Sequence, residues 1–147
     1  MLKKLKEKLH KQIPLTKYMQ ISPEEIKEDK LITTAPIEPN INDKQTGFAG
    51  SLSTLVTISA WSACYLVIEE QLNFKDTMIA VIKSDTSYRA PVTKNLYCET
   101  TMPNEEEIKR VKEKLDSKGS ASLRIKSQII EDEKVCVDFE GIYVIKI

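Results

Sequence analysis

Residues 49–70 read AGSLSTLVTISAWSACYLVIEE, and the fold turns on what this stretch can be. Leu52, Leu55, Val56, Ile58, Ala60, Trp61, Ala63, Cys64, Leu66, Val67 and Ile68 leave no wide polar face on a helix. A helix that is apolar nearly all round has to be buried on most sides. The run falls just short of the roughly 18 apolar residues of a membrane span. It is also interrupted by Ser53, Thr54, Thr57, Ser59 and Ser62. The spacing therefore predicts a long core helix over Ala49–Glu70 that another layer must wrap.

That layer is legible on both sides of the helix. Thr77 to Val92 is rich in β-branched residues and ends at Ala90-Pro91, and Asn95 to Met102 is a shorter run of the same kind. Ala121, Leu123, Ile125, Ser127 and Ile129 alternate with Ser122, Arg124, Lys126 and Gln128, the pattern of a half-buried strand. Val135, Val137 and Phe139 alternate in the same way, with a bulge expected at Gly141 before the closing Ile142–Ile147. Between these pairs, Pro103-Asn104 opens a surface helix with Glu107 placed for a capping box. Ile108, Val111 and Leu115 form its apolar stripe, and Gly119 ends it. Upstream, two weak strands over Lys17–Thr34 flank a polar turn at Ser22–Lys30, and the prolines of Ala35-Pro-Ile-Glu-Pro-Asn40 end the second.

Leu2, Leu5, Leu9 and Ile13 recur at helical spacing and Pro14 stops the pattern, giving an N-terminal amphipathic helix over residues 1–13. Its other face carries Lys3, Lys4, Lys6, Lys8 and Lys11. Such a helix either docks on its own domain or offers a basic face to a membrane or a partner. The order helix, two strands, core helix, two strands, surface helix, two strands predicts α+β, with one antiparallel sheet curved around the core helix.

The 147 residues suit a single domain, residues 1–147. Equal counts of 22 basic and 22 acidic residues argue against broad nucleic-acid binding, which needs a cationic surplus. One histidine, His10, excludes any histidine pair and any two-histidine metal site, so no metal is expected. The cysteines Cys64, Cys98 and Cys136 lie far apart in apolar stretches, which suits a reduced cytoplasmic protein. No targeting segment is read at the N-terminus, where charge replaces the apolar core of a signal peptide.

The chemistry-bearing segment is the entry to the core helix, Pro39-Asn-Ile-Asn-Asp-Lys-Gln-Thr-Gly-Phe-Ala-Gly-Ser-Leu52. It gathers glycines, an amide, a carboxylate and a hydroxyl at a helix N-terminus. Unpaired N–H groups and the positive end of the dipole there suit an anion or a developing oxyanion. A plain capping loop has the same composition.

This block, with Ile13-Pro14-Leu15-Thr16, Met19, Ala35-Pro36, Trp61, Tyr88, Ala90-Pro91-Val92 and Phe139-Glu140-Gly141, resembles the hot-dog fold thioesterases. It is most similar to the family whose domain also occurs fused to bacterial N-acetyltransferases. The likeness runs from about residue 9 to the C-terminus. It implies a hot-dog fold, a homodimer or higher even oligomer, and hydrolysis of an acyl-CoA or acyl carrier protein thioester without a cofactor. Coenzyme A enters only as part of the substrate. Laid on the sparser pattern of phenylacetate-pathway hot-dog enzymes, Asn42 matches the motif Asn and Gly50 the second Gly. Phe48 replaces the motif His, Ala49 the first Gly, and Thr57 the catalytic acid.

The resemblance implies catalytic roles for Asn42, Asp43, Gly50, Ser51 and Thr57. Gly50 or Ser51 would supply the oxyanion N–H, Asn42 would bind the carbonyl or hold the water, Thr57 would position the water, and Asp43 is the nearest base, with Asp85 a weaker candidate. Thr46, Phe48, Trp61, Tyr88 and Arg89 are the implied substrate-binding residues. Trp61 would pack in the core or at a dimer contact, or wall an acyl pocket, and Arg89 with Lys83 would bind phosphate or face solvent. The missing helix carboxylate leaves a second expectation open, a protein that binds an acyl chain or acyl carrier without hydrolysing it.

Overall fold

The computed structural model describes Met1–Ile147. Helix α1 (Leu2–Gln12) and short helix α2 (Pro14–Tyr18) precede strands β1 (Ser22–Lys27) and β2 (Lys30–Ala35). The core helix α3 (Ala49–Tyr65) leads to strands β3 (Met78–Tyr88) and β4 (Leu96–Thr101). Helix α4 (Glu105–Lys118) and strands β5 (Ser120–Glu131) and β6 (Lys134–Lys146) complete the chain. All six strands form one antiparallel sheet in the order β1-β2-β4-β5-β6-β3.

Helix α3 lies along the inner face of that sheet, against β2 through β6. Leu55, Val56, Ala60, Ala63 and Cys64 are fully buried, as are the inward-facing Leu31, Cys98, Ile129, Val137 and Tyr143. Each large aliphatic side chain withdrawn from water contributes about 1.5–3 kcal/mol, so this single interface dominates the stability. A π-helical segment, Leu66–Gln71, continues the helix. Over Ala49–Gln71 the 23 residues are long and apolar enough to cross a membrane by length and composition, further than the sequence pattern suggested. They are spent on the sheet, and this is the core helix of the domain. Its buried hydroxyls are satisfied within the helix or across the interface. Ser59 pairs with Thr33 of β2, Ser62 donates back to Ile58 O, and the Tyr143 hydroxyl donates to Thr57 O at 2.7 Å.

Local signals behave as chemistry dictates. Asn104 and Glu107 form the reciprocal capping box, and Gly119 ends α4 at φ 72°, in the left-handed region glycine enters freely. Ala121, Leu123, Ile125, Ser127 and Ile129 are buried on β5. Leu5 and Leu9 of α1 are each 1% exposed, so this helix docks on its own domain.

Three expectations change. Pro14 follows the end of α1 at Gln12 as expected, but it also opens a second helix, α2, because proline at a first helical position lacks only an N–H that would be unpaired anyway. The polar stretch Ser22–Lys30 is mostly strand β1, its turn reduced to Glu28 and Asp29 at φ 51° and 61°. Those values make a primed two-residue hairpin turn, and the polarity is that of an edge strand facing water. Gly141 is not a bulge. It pairs in register with Ser84 and Ile125, and the register shifts fall at Ile82 and Cys136 instead. Glycine is needed there because a Cβ would lie 2.8 Å from both the Phe139 and Tyr143 rings.

The loop after β3 is held by one carboxylate. Glu131 accepts from the Thr93 N–H (2.9 Å), the Thr93 hydroxyl (2.7 Å) and the Lys94 N–H (2.8 Å). Burial would raise its pKa, but these donors outweigh it and hold the carboxyl below its ordinary value. A lowered folded pKa contributes stability above the unfolded value and loses it as pH falls through the folded one. Glu131→Gln should therefore flatten the acid limb of stability against pH, read by denaturant melts from neutrality to pH about 3.

Candidate functional site

The entry loop is folded by Asn42. Its Oδ1 accepts from the N–H groups of Lys44 (2.8 Å) and Thr46 (3.1 Å), and its Nδ2 donates to the Thr46 hydroxyl (2.9 Å) and Gly47 O (3.4 Å). Ile41 and Gly47 bridge beneath this turn. Asn42 and Thr46 thus spend their polar atoms on the loop itself. Asp43 sits at its tip, its side chain 82% exposed and ion-paired with Lys44 at 3.3 Å.

The loop delivers the chain to α3 under firm constraint. Gly47 N–H donates to Val92 O (2.7 Å) and Phe48 N–H to Asn40 O (2.8 Å). A Cβ at Gly47 would meet Leu52 at 2.9 Å and Val92 at 3.2 Å, so a side chain there would have to displace its neighbours. Phe48 is the N-cap, extended at φ −68° and ψ 129°, and caps nothing with its side chain. No hydrogen bond within the chain uses the N–H of Ala49, Gly50 or Ser51. A helix of 17 residues therefore begins with its donors bare and its dipole uncompensated by any acidic residue.

Two of these residues, Gly50 and Ser51, line a cleft of about 470 Å³ between α2 and the start of α3. Leu15, Tyr18 and Met19 line one side, and Pro39, Phe48, Gly50, Ser51 and Thr54 the other. The Phe48 ring lies directly over Gly50, where a Cβ would approach it to 2.5 Å. An apolar wall beside unpaired backbone donors can hold an acyl chain while polarising a carbonyl. No carboxylate lines this cleft.

The remaining residues lie along α3 and β3. Thr57 is half-buried, and its hydroxyl donates to Ser53 O at 2.7 Å, which leaves its lone pairs free to accept. Trp61 donates its indole N–H to Ile79 O at 3.0 Å and stacks on Tyr65 with ring centroids 5.3 Å apart. With Ile58 these rings form a half-buried stripe on α3. Tyr88 is exposed at the end of β3, opposite the inward-facing Val137. Arg89 pairs with Asp138 at 3.0 Å in a polar hollow that also holds Asp85 and Lys126, so Arg89 and Asp85 sit apart from the cleft. His10 Nε2 donates to Ile21 O at 2.7 Å. Cys64 is fully buried, and that burial pushes its thiol far above the ordinary range.

Two features escaped the sequence reading. The facing wall comes from α2, whose five residues are too short to show helical periodicity. Asn40, 1% exposed, ties that wall down by donating Nδ2 to Met19 O (3.0 Å) and Pro36 O (2.7 Å), which leaves its Oδ1 without a partner. Its place in the entry loop was visible, but its partners were not.

Comparison with known proteins identifies the family and the fold. A family model described as "Putative thioesterase (yiiD_Cterm)" matches residues 2–147. A crystal structure from Chlorobaculum tepidum, titled as a protein with unknown function, is 34% identical, with a TM-score of 0.90 over 98% of this chain and 93% of that one. A putative thioesterase from Shewanella oneidensis is 32% identical, with a TM-score of 0.84 over 97% and 95%. A thioesterase from Haemophilus influenzae, 12% identical with a TM-score of 0.68 over 99% and 90%, shares the fold.

Proposed function

The chain belongs to the family described as "Putative thioesterase (yiiD_Cterm)" and has the hot-dog fold, and from that premise we propose that it hydrolyses an acyl thioester of coenzyme A or acyl carrier protein. The observation that carries the reading is the bare start of α3 at a half-apolar cleft. A thioester carbonyl directed at the Gly50 and Ser51 N–H groups has its oxygen stabilised as negative charge develops. Thr57 holds the attacking water as an acceptor, since its own proton is given to Ser53 O. Asp43, the only carboxylate of the entry loop although it stands outside the cleft lining, is the candidate for taking that water's proton. The water oxygen adds to the carbonyl carbon as its proton passes to the base; when the resulting oxyanion collapses, the C–S bond breaks and the sulfur takes that proton to leave as the thiol. Asn42 and Thr46 act by shaping the loop, and Phe48 packs on the acyl chain.

The protein works as a dimer on this reading. Strand β3 is a sheet edge of 11 residues with Met78, Val81 and Ile82 exposed, beside the Ile58–Trp61–Tyr65 stripe. A long apolar edge invites a second chain. Trp61 and Tyr88 then approach the acyl pocket from the interface, and Arg89 offers a cation to the thioester's phosphates. The free, buried cysteines suit the cytoplasm.

The absence of a carboxylate from the cleft lining favours a second reading, in which the protein holds an acyl thioester without hydrolysing it. Thiol release from acyl-CoA and acyl carrier substrates of graded chain length separates the two. Turnover that falls at least tenfold in Thr57→Ala supports hydrolysis. Saturable binding with no thiol release at any length supports the second reading.

A further inference from the structure

The first 20 residues hold six lysines and one glutamate, although the whole chain is neutral. None of those lysines is ion-paired, whereas Lys44, Arg89, Lys94, Lys112, Arg124 and Lys126 all have carboxylate partners. Lys3, Lys6 and His10 fall on one face of α1 at helical spacing. With Lys11, Lys17 and one carboxylate, Glu7, they line an open groove of about 620 Å³. Lys17 lies on α2 between Leu15 and Tyr18, which line the cleft at the start of α3, so the groove and the cleft are flanks of one short helix.

We propose that this basic face docks an acidic acyl carrier protein and directs its thioester-bearing arm over α2 into the cleft. This deepens the thioesterase reading and rests on it for the fate of the thioester. Charge complementarity points to the partner: a surface on which four unpaired lysines outnumber the one carboxylate, Glu7, attracts an acidic surface and speeds its capture. The size of the array selects a protein over free coenzyme A. Eleven helical residues span roughly 16 Å, more cationic surface than a few phosphates require. A membrane surface is disfavoured because Leu5 and Leu9, the residues an interfacial helix would insert, are each 1% exposed within the core.

The test compares the same octanoyl group on a bacterial acyl carrier protein and on coenzyme A. Wild type is set beside Lys3→Glu/Lys6→Glu/Lys11→Glu, whose substituted side chains are all exposed. The reversed variant should raise KM for the carrier substrate at least tenfold, with kcat for it and KM for octanoyl-CoA within twofold of wild type. An unchanged melting temperature shows that the fold is kept. Equal loss on both substrates, or no loss on either, overturns the proposal. Calorimetric titration with octanoyl carrier protein is read whether or not thiol is released. Binding to wild type that is lost in the variant upholds docking even if hydrolysis fails, and equal binding by both, or by neither, overturns docking on its own.

Discussion

Gly141→Ala should lower the unfolding free energy by about 2 kcal/mol, a fall in melting temperature of roughly 4–8 °C for a chain of this size. A central strand position ordinarily gains about 0.5–1 kcal/mol when glycine becomes alanine. The packing outweighs that gain. The new Cβ would lie 2.8 Å from the Phe139 ring and 2.8 Å from the Tyr143 ring, both essentially buried. Neither ring has free space to enter, and the Tyr143 hydroxyl is fixed to Thr57 O at 2.7 Å. Overpacking of this kind costs about 1–3 kcal/mol, and displacement of two rings places it at the upper end. Adding Phe139→Leu should return part of the loss, because the two changes share one volume. A Gly141→Ala variant at least as stable as wild type would show that the rings are not wedged against that backbone.

The larger effect is on rate. Ser51→Pro should reduce kcat for thioester hydrolysis about a hundredfold while folding is kept. Proline in a first helical turn removes a backbone N–H that no acceptor in the chain uses. Its ring meets no helical carbonyl there, and the preceding Gly50 has no Cβ to clash with it. What is lost is one donor to the developing oxyanion, and such losses cost about 10²–10³ in rate. Ser51→Ala keeps the N–H and should stay within a few-fold of wild type. Matching losses in the two variants would move the role from the backbone to the hydroxyl.

Much of this was legible before any coordinates. Eleven apolar residues between Leu52 and Ile68 could not face water, and the alternation over Ala121–Ile129 needed a core on one side. Together they demand a sheet around a helix. The entry loop was equally visible, because glycines and small polar residues before a buried helix mark its N-terminus. Pairing partners were not visible. Asn42 and Thr46 have the composition of ligands, and only geometry shows them spent on each other. Arg89 directly follows β3, yet its partner Asp138 is 49 residues away in sequence. The wall from α2 and its anchor Asn40 depend on contacts across the chain that no local pattern encodes. Gly141 shows the same limit: a glycine in a strand signals either a bulge or a close approach, and only the positions of two rings decide which.

The central claim is that the bare N-terminus of α3 polarises a thioester carbonyl. The measurement that tests it most directly is thiol release by wild type and by Ser51→Pro, each saturated with the same acyl thioester as judged by calorimetry. The account predicts that both bind the substrate with similar affinity and that Ser51→Pro releases thiol about a hundredfold more slowly. Wild type that binds without releasing thiol, or Ser51→Pro that releases it as fast as wild type, would contradict the account.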